Sequence, residues 1–149
     1  MSDDQSIHIL LAEDDPDDRL LTRRALKKSR LANSIATVED GEELMRYLRR
    51  EEEYAEVDAP RPGLILLDLN MPRMDGREAL KEIKSDPDLR RIPVIVLTTS
   101  EAEHDILQSY DLGVNAFVTK PVTFDGLADA IEAIGEFWFQ IVKLPSNAE

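Results

Sequence analysis

Four short stretches of the chain are apolar or β-branched almost without interruption: IHILLA (7–12), GLILLD (63–68), PVIVLT (93–98) and NAFVT (115–119). A strand with one face in water alternates apolar and polar residues. A run without alternation must be covered on both faces, as in a parallel sheet. A weaker stretch of the same kind is SIATV (34–38). Helical patterns lie between these runs, so the order is strand then helix, five times over. That order predicts an α/β fold with parallel strands, right-handed crossovers and helices on both faces. In open sheets of this type, sites form beyond the carboxyl ends of the strands.

The helical segments carry their own start and stop signals. PDDRLLTRRALKKSR (16–30) follows Asp15 as N-cap, with Pro16 at the first helical position. GEELMRYLRREEE (41–53) places Leu44 and Leu48 four apart, and DGREALKEIKSD (75–86) puts Ala79, Leu80 and Ile83 on one face. SEAEHDILQSYDLG (100–113) ends on a glycine suited to a helix terminus, and residues 123–144 form the last helical pattern. Residues 54–63, with two prolines and a glycine, read as a solvated loop.

Composition narrows the function. With 149 residues the chain fits one domain, and its net charge of −13 argues against nucleic acid or an anionic membrane as partner. The absence of cysteine excludes disulfides and thiolate metal sites and agrees with a cytoplasmic location. No apolar run approaches the roughly 20 residues that span a bilayer, and the acidic N-terminus lacks the core of a signal peptide.

Against that background the segment EDDPDD (13–18) stands out, because it packs carboxylates directly after the first apolar run. Asp15, Asp17 and Asp18 belong to a helix N-terminus, where negative charge meets the positive end of the helix dipole. Glu13 and Asp14 call for another explanation. The third run ends in Asp68 and Asn70, the fourth in Thr98, Thr99 and Ser100, and the fifth in Thr119 and Lys120. A doubly wound sheet brings those ends to one rim. Three carboxylates together repel, and a hard divalent cation such as Mg²⁺ relieves the repulsion. Glu13, Asp14 and Asp68 supply three negative charges, and Mg²⁺ with Lys120 supplies three positive ones.

The stretches LLAEDD, LILLDLNMPRMDG, IPVIVLTTS and AFVTKP, in that order and at these separations, resemble the receiver domain of two-component response regulators. LTTSEAEHDI, SYDLGVNAFVTKP and FWFQIVKLP are similar to the stand-alone regulators that partner cyanobacterial phytochrome kinases. The resemblance implies a flavodoxin-like, five-stranded sheet of order 2-1-3-4-5. It also implies one receiver domain over 1–149, with a core of about 6–135 and an aromatic extension over 136–149. Asp68 is then the phosphoacceptor, served by a sensor histidine kinase. Glu13, Asp14, Asp68 and the backbone carbonyl of Asn70 are the Mg²⁺ residues. Thr98 and Lys120 bind the phosphoryl group, and Thr98 with Phe117 forms the switch. Asn70, Thr99 and Ser100 tune dephosphorylation, and the Lys120–Pro121 bond is cis. Phe117 stands where many relatives carry Tyr and lacks its hydroxyl.

On this reading the chain catalyses only its own phosphorylation and dephosphorylation and signals by protein contact. Leu127, Ile131, Ile134, Trp138 and Ile141 form a stripe that can dock on the sheet. Phe137, Trp138 and Phe139 make the end apolar all round, which favours a homodimer through this segment over folding back. The main alternative is a phosphatase or phosphotransferase of the haloacid dehalogenase type. That chemistry needs a second carboxyl two residues after the nucleophile, where this chain has Asn70. A flavodoxin-like cofactor carrier is a weaker rival, since no glycine-rich phosphate loop is present. His8 and His104 read as structural or solvated residues and not as phosphodonors.

Overall fold

The structure is a computed structural model that describes residues 7–29, 32–57, 59–69, 71, 73–74, 76–98, 116–119, 125–126 and 128–133. The apolar runs form strands β1 (Ile7–Ala12), β3 (Leu64–Asp68) and β4 (Val94–Thr98), and the weaker run forms β2 (Ala32–Val38). All pair in parallel, in the order β2-β1-β3-β4, and the backbone of β5 (Ala116–Thr119) pairs with β4.

The lack of alternation has the cause inferred from sequence, because both faces are covered. Leu10, Ala12, Ile65, Leu67, Val94 and Val96 face one way and pack on Leu44, Met45, Ala79, Leu80 and Ile83. Ile9, Leu11, Leu64, Leu66 and Ile95 face the other way and pack on Ala25, Leu26 and Ile131. Each fully buried Leu or Ile contributes about 1.5–3 kcal/mol of transfer free energy, so two such layers hold the sheet rigid. Helix α1 (Pro16–Ser29) covers one face, and α2 (Gly41–Arg49) and α3 (Gly76–Ser85) cover the other.

Helix α1 starts as its sequence requires. Asp15 Oδ1 accepts from the N–H groups of Asp17 at 2.8 Å and Asp18 at 3.3 Å, and Pro16 opens the helix. Helix α2 is shorter than the pattern over 41–53 predicts. Arg50 takes a left-handed backbone (φ 56°) and its N–H turns back to Tyr47 O, after which Glu52–Tyr54 form a 3₁₀ turn. Continuing α2 would have carried Glu51 and Glu52 onto the face that Leu44 and Leu48 turn to the core. Instead Glu53 folds back onto Arg46 in a two-point pair at 2.8 and 3.0 Å.

The connection over 54–63 is tied down at several atoms. Tyr47 Oη donates to Pro60 O at 3.0 Å, and Arg50 Nη1 donates to Ala59 O at 2.8 Å. His8 Nε2 meets Tyr47 Oη at 2.8 Å, and Nδ1 meets Ser34 Oγ at 2.6 Å. Because the Tyr47 proton goes to Pro60, a neutral His8 ring carries its proton on Nε2 and accepts from Ser34. His8 therefore has a structural place at the amino end of the sheet. The helical stretch expected over 100–113 and His104 lie outside the described residues.

Candidate functional site

The site is built where β1 and β3 end. Glu13 follows β1, and its N–H donates to Val38 O at 3.0 Å, which fixes it to the end of β2. Arg19, one turn into α1, donates to Glu13 O at 2.9 Å, and Glu13 Oε2 accepts from the Asp15 N–H at 3.2 Å. The neighbouring strand reaches the same level, since Ala12 pairs with Leu67 and Asp68 is next, beside Leu97 of β4. Strand register alone thus sets Glu13 and Asp68 side by side.

Glu13 is 0% exposed and Asp68 2% exposed, while Asp14 is half-buried. One carboxylate oxygen from each of the three lies within 4.8 Å of the others. All donors are hard oxygens with no sulfur or imidazole, the chemistry of a Mg²⁺-type or Mn²⁺-type cation and not of zinc or copper(I). Gathering anions in a buried place is costly unless positive charge joins them. The three residues therefore fit a divalent cation.

The other strand ends meet at this rim through their backbones. Thr98 closes β4 one position after Leu97 and pairs with Thr119, the residue before Lys120. The side chains of Thr98 and Phe117 lie outside the described residues. So do Asn70, Thr99, Ser100, Lys120, the Lys120–Pro121 bond, and Phe137, Trp138 and Phe139.

Two features beside the site were missed in the sequence. Asp40 N-caps α2, with Oδ1 accepting from the Glu43 N–H at 2.8 Å. Its Oδ2 receives Arg73 Nε at 2.8 Å and Nη2 at 2.6 Å. Burial alone would raise the Asp40 pKa, but the Glu43 N–H and then Arg73 outweigh it and hold the carboxyl below its ordinary value. Asp40 with Glu43 three residues on was a readable capping signal. Nothing in PRMDG marked Arg73 as its partner.

Residues 9–132 match the sequence profile described as response regulator receiver domain. The chain belongs to that family. The match selects the receiver over the dehalogenase-type and flavodoxin-type alternatives, and the receiver works in two-component signalling as a response regulator. It is 46% identical over 138 residues to response regulator Rcp1 of Synechocystis, covering 93% of this chain and 92% of that one. It is 36% identical to the probable methanogenesis regulatory protein FilR2 of Methanothrix harundinacea, covering 94% and 88%. Among solved structures, the phosphorylated cyanobacterial phytochrome response regulator RcpA superposes with a TM-score of 0.80 at 51% identity, covering 90% of this chain and 94% of that one. The Mn²⁺-bound form of Rcp1 superposes with a TM-score of 0.78 at 45% identity, covering 89% and 94%. Among the described residues of the receiver, no helix is long and apolar enough to cross a membrane.

Proposed function

We propose that Asp68 is the phosphoacceptor of this receiver, supplied by a sensor histidine kinase. The observation that carries the reading is the convergence of Glu13, Asp14 and Asp68 within 4.8 Å at adjoining strand ends. An Asp68 oxygen attacks phosphorus, an acyl-phosphate P–O bond forms, and the P–N bond to the kinase histidine breaks. Glu13, Asp14, Asp68 and the Asn70 carbonyl would hold Mg²⁺, which would supply positive charge beside the transferring oxygens. Lys120 adds the remaining positive charge, and Thr98 donates to a phosphoryl oxygen. Asn70, Thr99 and Ser100 govern the approach of water to the acyl phosphate.

Phosphorylation adds charge and acceptors at the rim, which shifts Thr98 and Phe117 between two states. The full architecture we infer is five parallel strands in the order 2-1-3-4-5, and the backbone pairing of β5 with β4 supports it. Similarity to RcpA and Rcp1 supports a phytochrome as the kinase partner. The same similarity and the sequence of the aromatic end support a single receiver domain over 1–149 and a homodimer through Phe137, Trp138 and Phe139. The proposed kinase partnership supports a cytoplasmic location.

Incubation with a phosphorylated kinase or with acetyl phosphate tests the assignment. Acid-labile, Mg²⁺-dependent phosphate should appear on the wild type and vanish in Asp68→Asn. Label that survives in that variant, in a chain of unchanged circular dichroism, overturns it.

A further inference from the structure

We infer that Asp40 and Arg73 form a latch on the loop leaving Asp68, and that Arg73 is a positioning residue for cation binding at the Glu13–Asp14–Asp68 centre. The inference rests on the reading of that centre as a divalent-cation site.

The loop between β3 and α3 is tied to the N-terminus of α2 by two adjacent links. Arg73 donates from Nε and Nη2 to Asp40 Oδ2, and the next residue, Met74, accepts at its carbonyl from the Gly41 N–H at 2.9 Å. The approach is close, because a Cβ on Gly41 would lie 2.1 Å from Met74 O. The element that receives the loop is itself rigid. Glu43 accepts from the Glu39 N–H at 2.8 Å and from Tyr54 Oη at 2.5 Å, and Leu44, Met45 and Tyr47 are buried in the core.

Two residues after Met74, the chain touches the Asp68 segment itself. The Gly76 N–H donates to Leu69 O at 2.9 Å and closes the loop at its base. A Cβ on Gly76 would lie 2.6 Å from Asp68 O, so the start of α3 rests on the Asp68 backbone. Any shift of Gly76 is therefore felt at the backbone that carries the Asp68 carboxylate.

Arg73 has the marks of a residue held in place at a cost. Its φ is 60°, a left-handed backbone that residues with a side chain adopt only under constraint. Its side chain is 63% exposed while that of Asp40 is 5% exposed. An ordinary surface pair has both partners in water and contributes little. Here a buried carboxylate divides its oxygens, Oδ1 to the helix cap and Oδ2 to the loop, so one group fixes both elements at once.

Calorimetric titration of the full chain with Mg²⁺ tests this. Arg73→Gln leaves a polar side chain, shorter by two atoms, that carries no charge. Arg73→Gly removes the latch and accepts φ 60° without strain, which offsets part of the cost of leaving Asp40 unpaired. Both should weaken Mg²⁺ by roughly three- to tenfold, the size of coupling carried by such contacts. Arg73→Lys should recover part of the loss. Arg61→Ala, which breaks an ordinary surface pair with Asp88 at the amino end of β3, both partners exposed, should leave the constant unchanged. With acetyl phosphate, the Arg73 variants should be slow at low Mg²⁺ and reach the wild-type rate at saturating Mg²⁺. A lowered melting temperature with an unchanged Mg²⁺ constant would make the latch purely structural and overturn the inference. A wild type with no saturable Mg²⁺ binding overturns the cation-site reading and the latch with it.

Discussion

Glu13 and Asp68 bring carboxylate oxygens within 4.8 Å of each other although neither side chain reaches solvent to any useful extent. At that separation two like charges oppose each other by about 3 kcal/mol at an effective dielectric of 20. Neutralising one should therefore act in opposite directions with and without metal. In chelator, Glu13→Gln is expected to raise stability by about 1 kcal/mol, since relaxation absorbs part of the repulsion. The Gln carbonyl can still accept from the Asp15 N–H. With Mg²⁺ at 100 times its dissociation constant the wild type gains about 2.7 kcal/mol, and the variant loses most of that. Urea melts in the two conditions give both numbers, and a variant that is less stable in both refutes the repulsion argument.

Asp40 makes stability depend on acid. Its carboxyl is held below the ordinary value of 3.8 in the folded chain because the Glu43 N–H and Arg73 outweigh burial. The stabilisation is thus complete above the unfolded value and is lost as pH falls through the lower folded one. Asp40→Ala should cost about 2 kcal/mol at neutral pH, of which the cap accounts for about 1. The gap to wild type should narrow steadily below about pH 4. Denaturant midpoints across that range measure it, and a constant gap would place the loss elsewhere.

Gly76 sits at the first position of α3, where Ala would gain about 1 kcal/mol of helix propensity. A Cβ there would come within 2.6 Å of Asp68 O and 2.7 Å of Leu69 Cα, both backbone atoms of a buried strand end. Overpacking against backbone costs about 1–3 kcal/mol, so sterics win over propensity. Gly76→Ala should melt lower and load phosphate more slowly, because the strand end carrying Asp68 must shift. Equal rates with a lower melt would separate the packing of Gly76 from the chemistry.

The sheet was legible in the sequence because burial on both faces leaves only one pattern. Ile9 and Leu10 point in opposite directions and must both be apolar. The acidic centre was legible for a related reason, since Glu13 and Asp68 are charges placed directly after such runs. The end of α2 was not. Glu51, Glu52 and Glu53 are good helix formers, and what stops the helix is the left-handed turn at Arg50 and the pull of Arg46 on Glu53. Neither leaves a local signature. The Asp40–Arg73 pair was hidden too, because it joins residues 33 positions apart through an arginine at positive φ, where glycine or asparagine is expected.

Tyr54 marks the far side of α2 and gives an alkaline counterpart to Asp40. Its hydroxyl is pushed well above the ordinary 10.0, first by burial and then by donating to the Glu43 carboxylate at 2.5 Å. A group whose folded value is raised stabilises the fold fully below its unfolded value and loses that contribution as pH climbs through the folded one. Tyr54→Phe should cost about 1–2 kcal/mol at neutral pH, the worth of a hydrogen bond to a charged acceptor. The difference should shrink above pH 10, where the unfolded phenol ionises and the unfolded wild type gains on the folded form. Absorbance titration supplies a second readout. The number of tyrosines that ionise reversibly by about pH 11 should be the same in wild type and Tyr54→Phe, because Tyr54 contributes none of that signal. One fewer ionising tyrosine in the variant would mean that the bond to Glu43 opens in solution and that α2 is anchored without it.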